Sequence, residues 1–517
     1  MICNLPDLLL PFRRHQSSTS GIRHTKRSSS RNRQSLLRVS TLAGAVSLAI
    51  TMQASATWSI VMVNKRTKEV AIGSATCLTM FDLQKGASVV VPGFGAGAAQ
   101  SFVDTTGQNR LTIWLGLQRD KSPAEILQEL ADQDPGHETR QYGIVDTQGR
   151  AITFTGNQDG QWAGGLVGEI GDIVYAIQGN VLTGEPVVLN AEQAVLNTPG
   201  GLAEKLMAGM EAARDMGGDG RCSCSPRDPE GCGSPPPDFR KSAHIGYMVV
   251  ARIGDELGLC NRSTGCASGD YYMNFNFAFM TNQDPDPVDL LRDAFEAWKL
   301  DLIGVPDAIQ STAAFDQNEL PANGNSSTTL HLKLLDLNGE PITTPIDSVT
   351  VQNTQETKGS TTIGDVVDLG DGEYSVEVTS RRIEGTARFE VTVDDGVRPV
   401  ILMPLPELAI VRPSTGFVLG DPVPGLAGEE NELCITGGSP GETVRVGWGF
   451  QFGFTHTACG PILLEIPRLA GKATVDSDGN ACISGFVPKN ASTHTLHLQA
   501  VQLPSCERSN VVTWDIP

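Results

Sequence analysis

Two stretches, Thr57-Trp-Ser-Ile-Val-Met-Val63 and Glu69-Val-Ala-Ile-Gly-Ser-Ala-Thr76, predict the first two strands of a sheet. Both are short apolar runs rich in β-branched residues, and the polar residues 64–68 form a turn between them. A second hairpin is predicted from residues 142–146 and 151–156, which flank a Thr-Gln-Gly-Arg turn. This part of the chain therefore begins with antiparallel strands.

Helical patterns follow these strands. Ser122 has the character of an N-cap, with a proline at the first helical position and Glu125 three residues on, which predicts a helix. Apolar residues at helical spacing predict two more helices, near 201–216 and over 287–300. Strands, then helices, then strands again are typical of a layered α+β domain, which we place at residues 57–303.

The remaining sequence predicts all-β structure. Residues 304–328 are polar and end in a run of Asn, Gly, Ser and Thr, which indicates a linker. Residues 329–405 show short alternating strands without helical periodicity, which predicts an Ig-like β-sandwich. A proline-rich junction then begins a third unit, so a second β-sandwich is expected over 406–517.

The first 56 residues have the features of an export signal. A basic, Ser-rich segment precedes an apolar run over 39–52, and Ala54-Ser-Ala56 matches the small-x-small pattern that a signal peptidase cleaves. Cleavage there would leave Thr57 as the first residue of a secreted, periplasmic or cell-surface protein. An uncleaved anchor or a disordered leader is the alternative. The apolar run is shorter than the roughly 20 residues that a membrane span needs, and no transmembrane segment is expected after cleavage.

The charge of the chain disfavours some partners. Net charge is −20, and without residues 1–56 there remain 31 basic and 58 acidic residues, a net charge of −27. Such a surface repels phosphate backbones and anionic headgroups, so neither nucleic acid nor a lipid surface is expected as a partner.

Cysteine usage agrees with export. Eleven cysteines are present, and the ten beyond the leader are an even number, which favours disulfides. The four last cysteines are expected to staple the C-terminal sandwich. A zinc site at Cys222, Cys224 and Cys232 is the alternative, but C-x-C differs from the usual knuckle spacing and no histidine lies close by in sequence. Neither a metal nor a cofactor is predicted.

Thr57 becomes a chemical candidate if it is an N-terminus. Its hydroxyl is a weak nucleophile, and its own α-amine, which titrates near 7.7 to 8.0, can accept the proton. The other interpretation is that Thr57 is simply the small polar residue that follows a signal peptide.

Residues 57 to about 300 resemble an uncharacterised family, domain of unknown function 1028, placed within the Ntn-hydrolase superfamily. Members typically begin with a Thr-Phe-Ser-Ile-Val segment, to which residues 57–61 correspond. The further matching stretches are 70–75, 95–100, 134–146, 154–156, 162–164, 178–182 and 284–288. The resemblance implies a four-layer αββα fold and amide hydrolysis or acyl transfer, on a substrate that is not established for the family.

The chain departs from the family pattern in two places. A Cys- and Pro-rich insertion occupies 222–237, before Arg240-Lys-Ser-Ala243, and Thr76-Cys77 stands where relatives often carry arginine. Both changes bear on the shape of any pocket.

Other site residues are predicted from the matched stretches. Backbone amides at Gly97 and Ala98 are candidates for an oxyanion hole, because Gly-rich turns direct N–H groups into a site; the glycines equally suit a tight turn. Asn180 is a candidate for orienting an acyl group, against the alternative of a buried amide that satisfies a turn.

Three residues are predicted to bind substrate. Ser74 and Gln100 are chosen only for their position in matched stretches. Arg140 suits a substrate carboxylate, although pairing with Asp134 or Asp146 is the commoner use of such an arginine.

Together these features predict an exported N-terminal-threonine hydrolase that acts on an amide or related acyl bond of a small molecule or peptide. The alternative is a non-catalytic extracellular or cell-surface binding protein, because the two β-domains resemble carriage or adhesion modules of secreted bacterial proteins. Self-cleavage is disfavoured, since signal peptidase already unmasks the threonine. The sequence leaves homo-oligomerisation open.

Overall fold

A computed structural model describes residues 57–411 and 416–517. The predicted signal peptide, residues 1–56, lies outside the described residues. The described chain contains an α+β domain followed by two β-sandwiches, which confirms the predicted fold class.

The first domain alternates strands and helices. Its elements are β1 (Thr57–Asn64), β2 (Val70–Thr76), α1 (Leu83–Ala87), β3 (Ser88–Val91), β4 (Gly95–Ser101), α2 (Gln108–Gln118), α3 (Pro123–Gln133), β5 (Arg140–Asp146), β6 (Ala151–Thr155), β7 (Ala163–Ile170), β8 (Ile173–Asn180), α4 (Pro186–Asn197), α5 (Leu202–Asp215), α6 (Gly220–Ser223), β9 (Ile245–Ala251), β10 (Met273–Phe277) and α7 (Pro287–Asp301).

These elements form four layers. One antiparallel sheet has the order β10-β9-β2-β1-β8-β7, and a second has the order β3-β4-β5-β6. Helices α4, α5 and α7 cover the outer face of the first sheet, α2 and α3 cover the second, and the two sheets face each other across an apolar layer. The αββα arrangement is the one predicted.

Local patterns explain which helices the sequence revealed. The cap of α3 is a complete capping box, in which Ser122 and Glu125 each accept the other's backbone N–H. Helix α2 was not predicted, because it buries Asn109, Arg110 and Thr112 among its apolar residues and so lacks an amphipathic stripe. Helix α4 was also not predicted.

The Gly-rich segment at 95–101 is a strand and not the turn that the sequence suggested. Its small residues serve close packing. A Cβ on Gly95 would lie 2.5 Å from the carbonyl oxygen of Val145, and one on Gly97 would lie 3.0 Å from the side chain of Ile113 on α2. Glycine therefore allows β4 to fit between β5 and the helix.

The second domain is a β-sandwich. Its strands are β11 (Thr312–Phe315), β12 (Glu319–Pro321), β13 (Ser327–Lys333), β14 (Ser348–Asn353), β15 (Thr361–Gly370), β16 (Glu373–Ser380), β17 (Gly385–Asp394), β18 (Val400–Ile401) and β19 (Glu407–Val411). One sheet has the order β11-β13-β16-β15 and the other β12-β19-β17-β14, with β18 beside β17.

Two predicted boundaries of this domain need correction. The expected linker, 304–328, contains β11, β12 and the start of β13, whose backbone groups pair with other strands of the sandwich. The expected end at residue 405 is too early, because β19 pairs with β17. The polar composition of residues 304–328 concealed the first boundary, since edge strands such as β11 and β12 tolerate polar residues. The prolines that flank the apolar strand β19 concealed the second.

The third domain is a second sandwich. Its strands are β20 (Val418–Leu419), β21 (Glu430–Thr436), β22 (Thr443–Gly449), β23 (Thr455–Thr457), β24 (Gly460–Ile462), β25 (Arg468–Thr474), β26 (Ala481–Phe486), β27 (Thr495–Leu503) and β28 (Arg508–Asp515). The sheets have the orders β20-β21-β26 and β25-β22-β27-β28. Disulfides Cys434–Cys482 and Cys459–Cys506 staple this domain, as predicted.

Ion pairs join the first domain to the second. Buried Arg252, just after β9, contacts Glu69 of its own domain at 2.8 Å and Asp307, ahead of β11, also at 2.8 Å. Arg398 of the sandwich contacts Asp255 at 2.9 Å and donates to the carbonyl oxygen of Tyr271 at 2.8 Å. Within the described ranges, no helix is long and apolar enough to cross a membrane.

Candidate active site

Thr57 lies at the start of β1, in the middle of the larger sheet. It is 1% exposed and is paired with Asn180 at the end of β8. Trp58 and the alternate residues after it pack under the helices, whereas Val61 and Val63 pack between the sheets. Side chains alternate along a strand, so Thr57 is on the face directed between the two sheets.

The layer between the sheets changes from apolar to polar near Thr57. Four buried side chains form what we call the amide network: Ser59, Gln100, Gln141 and Gln178. Gln100 accepts a hydrogen bond from the Ser59 hydroxyl and donates to the Gln141 Oε1 at 2.8 Å. Gln178 Nε2 lies 3.3 Å from Ser59 Oγ. Buried polar groups that are hydrogen-bonded in this way order a site.

The amide network holds the backbone of Thr57. Gln100 Nε2 donates to the carbonyl oxygen of Thr57 at 3.0 Å, and Gln141 Nε2 donates to the carbonyl oxygen of Gly179 at 2.8 Å. Gly179 is the residue beside Asn180 in the neighbouring strand. The network therefore fixes the ends of β1 and β8 against the second sheet.

A second polar group links Asn180 to a carboxyl. Asn180 Nδ2 donates to Ser101 Oγ at 3.2 Å, and the Ser101 hydroxyl also interacts with the carboxyl of Asp159. Ser101 ends β4 with a φ of 70°, unusual for a residue with a side chain. Thr57, Asn180, Ser101 and Asp159 thus meet from β1, β8, β4 and the loop after β6.

Asp159 is buried, with 1% of its surface exposed. Its Oδ2 accepts the N–H of Gly156 at 2.9 Å, and its Oδ1 has no hydrogen-bond partner among the described residues. Burial raises the pKa of Asp159 to about 7, although the hydrogen bonds from Ser101 and Gly156 oppose this. A carboxyl with such a pKa can exchange a proton near neutral pH.

Sequence reasoning missed Ser101 and Asp159. Ser101 follows directly on the matched stretch 95–100, but nothing in its own neighbours marks it. Asp159-Gly160 has the pattern of an ordinary turn. Only the folded sheets bring the two residues to Asn180, which pairs with Thr57.

Gly97 and Ala98 do not form the predicted oxyanion hole. They lie inside β4, which pairs with β3 on one side and β5 on the other. Backbone groups of a central strand belong to its ladders, so these amides are directed along the sheet. Both residues precede Gln100 in β4, and it is the side chain of Gln100 that contacts the carbonyl oxygen of Thr57.

The three predicted substrate-binding residues have different positions. Gln100 is in the amide network beside Thr57. The Ser74 hydroxyl donates to the carbonyl oxygen of Trp58 at 2.6 Å, which stabilises the β1–β2 hairpin. Arg140 is committed to Asp134, whose Oδ2 lies 2.8 Å from its Nε, and to the carbonyl oxygen of Phe102.

Disulfides occupy the cysteines of the insertion. Cys77 is joined to Cys222, and Cys224 is joined to Cys232. The three sulfurs considered for zinc are therefore covalently paired and offer no thiolate. Cys77 also donates its N–H to Asp219 at 2.6 Å, which anchors the end of β2 to the segment just before the insertion.

The fold and site define an αββα domain carried with two β-sandwiches, and comparison with known proteins gives the families. Residues 57–226 match a family of unknown function, DUF1028, and residues 307–399 match domain 3 of invasin. The match of residues 57–226 is to the family that the resemblance predicted, and the match of residues 307–399 falls on the first of the two β-sandwiches. A search of the curated proteins finds no match.

Three solved structures illustrate these similarities. A DUF1028 protein from Silicibacter pomeroyi is 17% identical, with a TM-score of 0.33, over 47% of this chain and 89% of its own. The Yersinia pseudotuberculosis adhesin InvE is 19% identical, with a TM-score of 0.19, over 40% of this chain and 58% of its own. Invasin, a bacterial integrin-binding protein, is 11% identical, with a TM-score of 0.20, over 89% of this chain and 60% of its own.

Proposed function

We propose that the N-terminal domain is an exported amidohydrolase of the N-terminal-nucleophile type, with Thr57 as its nucleophile. The observation that carries the proposal is the place of Thr57. It begins the strand at the centre of the larger sheet and faces the polar end of the inter-sheet layer. Cleavage after Ala56 would create its α-amine at that position.

The reaction follows from these groups. The α-amine removes the proton of the Thr57 hydroxyl as Oγ attacks the carbonyl carbon of the substrate. The protonated amine then returns the proton to the leaving nitrogen, and the C–N bond breaks to leave an acyl ester on Thr57. Water, deprotonated by the same amine, attacks that ester. The bond between the acyl carbon and Oγ breaks, the amine returns the proton to Oγ, and the acid is released.

The neighbours of Thr57 have positioning roles in this proposal. Gln100 holds its carbonyl oxygen, so that the nucleophile is fixed before substrate binds. Asn180, paired with Thr57 across the ladder, is assigned to orient the acyl group. Asp159 acts through Ser101 and Asn180, and its carboxyl provides a group that titrates near neutral pH close to the nucleophile.

The first experiment is the mass of the mature N-terminus, which we expect to start at Thr57. Exported Thr57→Ser is expected to hydrolyse members of an acyl-amide panel and Thr57→Ala to hydrolyse none, because only the serine retains a hydroxyl. Thr112→Ala, a buried threonine on α2, is the matched control. A different N-terminus, or hydrolysis by Thr57→Ala at the wild-type rate, would exclude the mechanism.

A non-catalytic surface protein is the second candidate function, and the invasin-domain match favours it. The ion pairs of Arg252 and Arg398 hold the DUF1028 domain firmly on the first sandwich, as suits a domain displayed at a surface. This candidate predicts that the chain stays with the cell envelope on fractionation and that Thr57→Ala changes neither retention nor any hydrolysis. Recovery of the chain only from the culture medium would argue against it.

A further inference from the structure

The C-terminal sandwich contains a cavity of about 420 Å³ between its two sheets. Leu433 and Ile483 contribute one wall from β21 and β26, and Trp448 and Leu498 contribute the other from β22 and β27. Packed sheets normally fill the space between them with interdigitated side chains. Here part of that space is open, and its volume lies within the range of small-molecule sites.

Large apolar side chains surround the cavity mouth. Phe450, Leu469 and Phe486 line it and are 54%, 63% and 66% exposed. The ring of Trp448 contacts that of Phe450 edge-on, with centroids 5.3 Å apart. Single exposed apolar residues are ordinary, but a cluster around an opening is typical of a binding site.

The lining also determines the charge of a ligand. Among the described residues that line the cavity, none is Asp, Glu, Lys or Arg. The side chain of Asn431 is already engaged, because its Oδ1 accepts the N–H of Gly425 at 2.6 Å and its Nδ2 donates to the carbonyl oxygen of Leu426 at 2.9 Å. A charged group buried here would lose its water without an acidic, lysine or arginine side chain to offset the loss, which is costly.

The remaining polar groups are few. Apart from the indole N–H groups of Trp448 and Trp514, the other polar side chains of the lining belong to Ser484, Asn490 and His494, and the His494 ring lies 6.1 Å from that of Phe450. They suit a small uncharged head such as a hydroxyl. A sugar would require many more hydrogen-bond partners than these three residues supply.

We propose that this cavity binds an uncharged apolar molecule, a hydrocarbon chain that carries a small neutral polar head. This site is independent of the Thr57 chemistry, and it would give the C-terminal domain a ligand of its own.

The test uses the chain without its predicted signal peptide, residues 57–517, and the uncharged fluorophore N-phenyl-1-naphthylamine. Trp448 and Trp514 both line the cavity, so binding of the probe is expected to quench their emission and to saturate at one probe per chain. Decanol, decanoate and decylammonium then compete as ligands of equal chain length and different charge. Decanol is expected to displace the probe at a concentration at least about tenfold lower than either ion.

Leu469→Glu places a charge at the mouth and is expected to weaken probe binding by about tenfold or more. The matched control is Leu369→Glu on β15, a leucine of similar exposure, 57%, in the other sandwich. Both positions are exposed, so both variants are expected to fold. The proposal is overturned if the wild type shows no saturable binding, if decanoate competes as well as decanol, or if the two variants behave alike. Self-association that hides the cavity from the probe would equally overturn it, because a second copy would then be the occupant.

Discussion

Replacing Asp159 by asparagine tests the polar group beside Thr57 without any knowledge of the substrate. Asparagine keeps the shape of the side chain and an oxygen that can accept the N–H of Gly156, but it cannot ionise. The variant therefore removes one titration from a buried position and leaves the local contacts in place.

The expected magnitude follows from the pKa. The ordinary pKa of an aspartate side chain is 3.8, and burial raises the pKa of Asp159 to about 7 in the folded chain. Because the folded value is the higher one, the folded state retains a proton that the unfolded state has lost. The contribution of the Asp159 carboxyl to the stability of the fold is fully present below about pH 4 and is lost as pH rises through about 7. At about 1.4 kcal/mol per pKa unit, the loss amounts to about 4 kcal/mol.

The measurement is the free energy of unfolding of the first domain between pH 4 and pH 8. Urea denaturation with hydrogen exchange in peptides from β1 and β8 reports on this domain alone. The stability of Asp159→Asn relative to the wild type is expected to increase from pH 4 to pH 8 by up to about 4 kcal/mol. A difference in the free energy of unfolding that is the same at every pH reflects the replacement of a carboxyl by an amide, not a titration.

Asp132→Asn, the same substitution on the exposed face of α3, is the matched control. If the difference between Asp159→Asn and the wild type is the same at every pH, or decreases as pH rises, then the carboxyl is not held near neutrality by burial. The positioning role assigned to Asp159 would then lose its basis.

Three further substitutions test the framework around the site. Arg252→Met leaves the buried carboxylates of Glu69 and Asp307 without their arginine and is expected to lower the free energy of unfolding by about 3–5 kcal/mol. Unchanged stability would mean that these ion pairs do not hold the two domains together. The double variant Cys77→Ser/Cys222→Ser removes a disulfide that spans 145 residues and is expected to lower the free energy of unfolding by about 2–5 kcal/mol. The readout is a lower melting temperature, to which reduction of this disulfide can no longer contribute. Ser122→Ala removes the cap of α3 and is expected to cost about 1 kcal/mol, and a neutral result would show that the proline and Glu125 suffice.

Local patterns in the sequence predicted much of the fold. The runs that became β1 and β2 alternate between two buried faces, and the helix at 287–301 has one apolar face. Patterns of this kind report on the nearest neighbours of a residue. They failed where burial was set by distant segments, as at Gly97, whose small size is explained only by the helix packed against it.

By itself, the sequence determined the α+β and sandwich classes and the choice of Thr57 as the residue to test, and its likeness to the DUF1028 family implied the αββα arrangement. Only the tertiary structure brought Ser101 and Asp159 to Asn180 and opened a cavity in the C-terminal sandwich. The physical reason is the same in both cases. Strand register and the packing of one sheet on another decide which residues meet, and these depend on contacts between segments far apart in the chain.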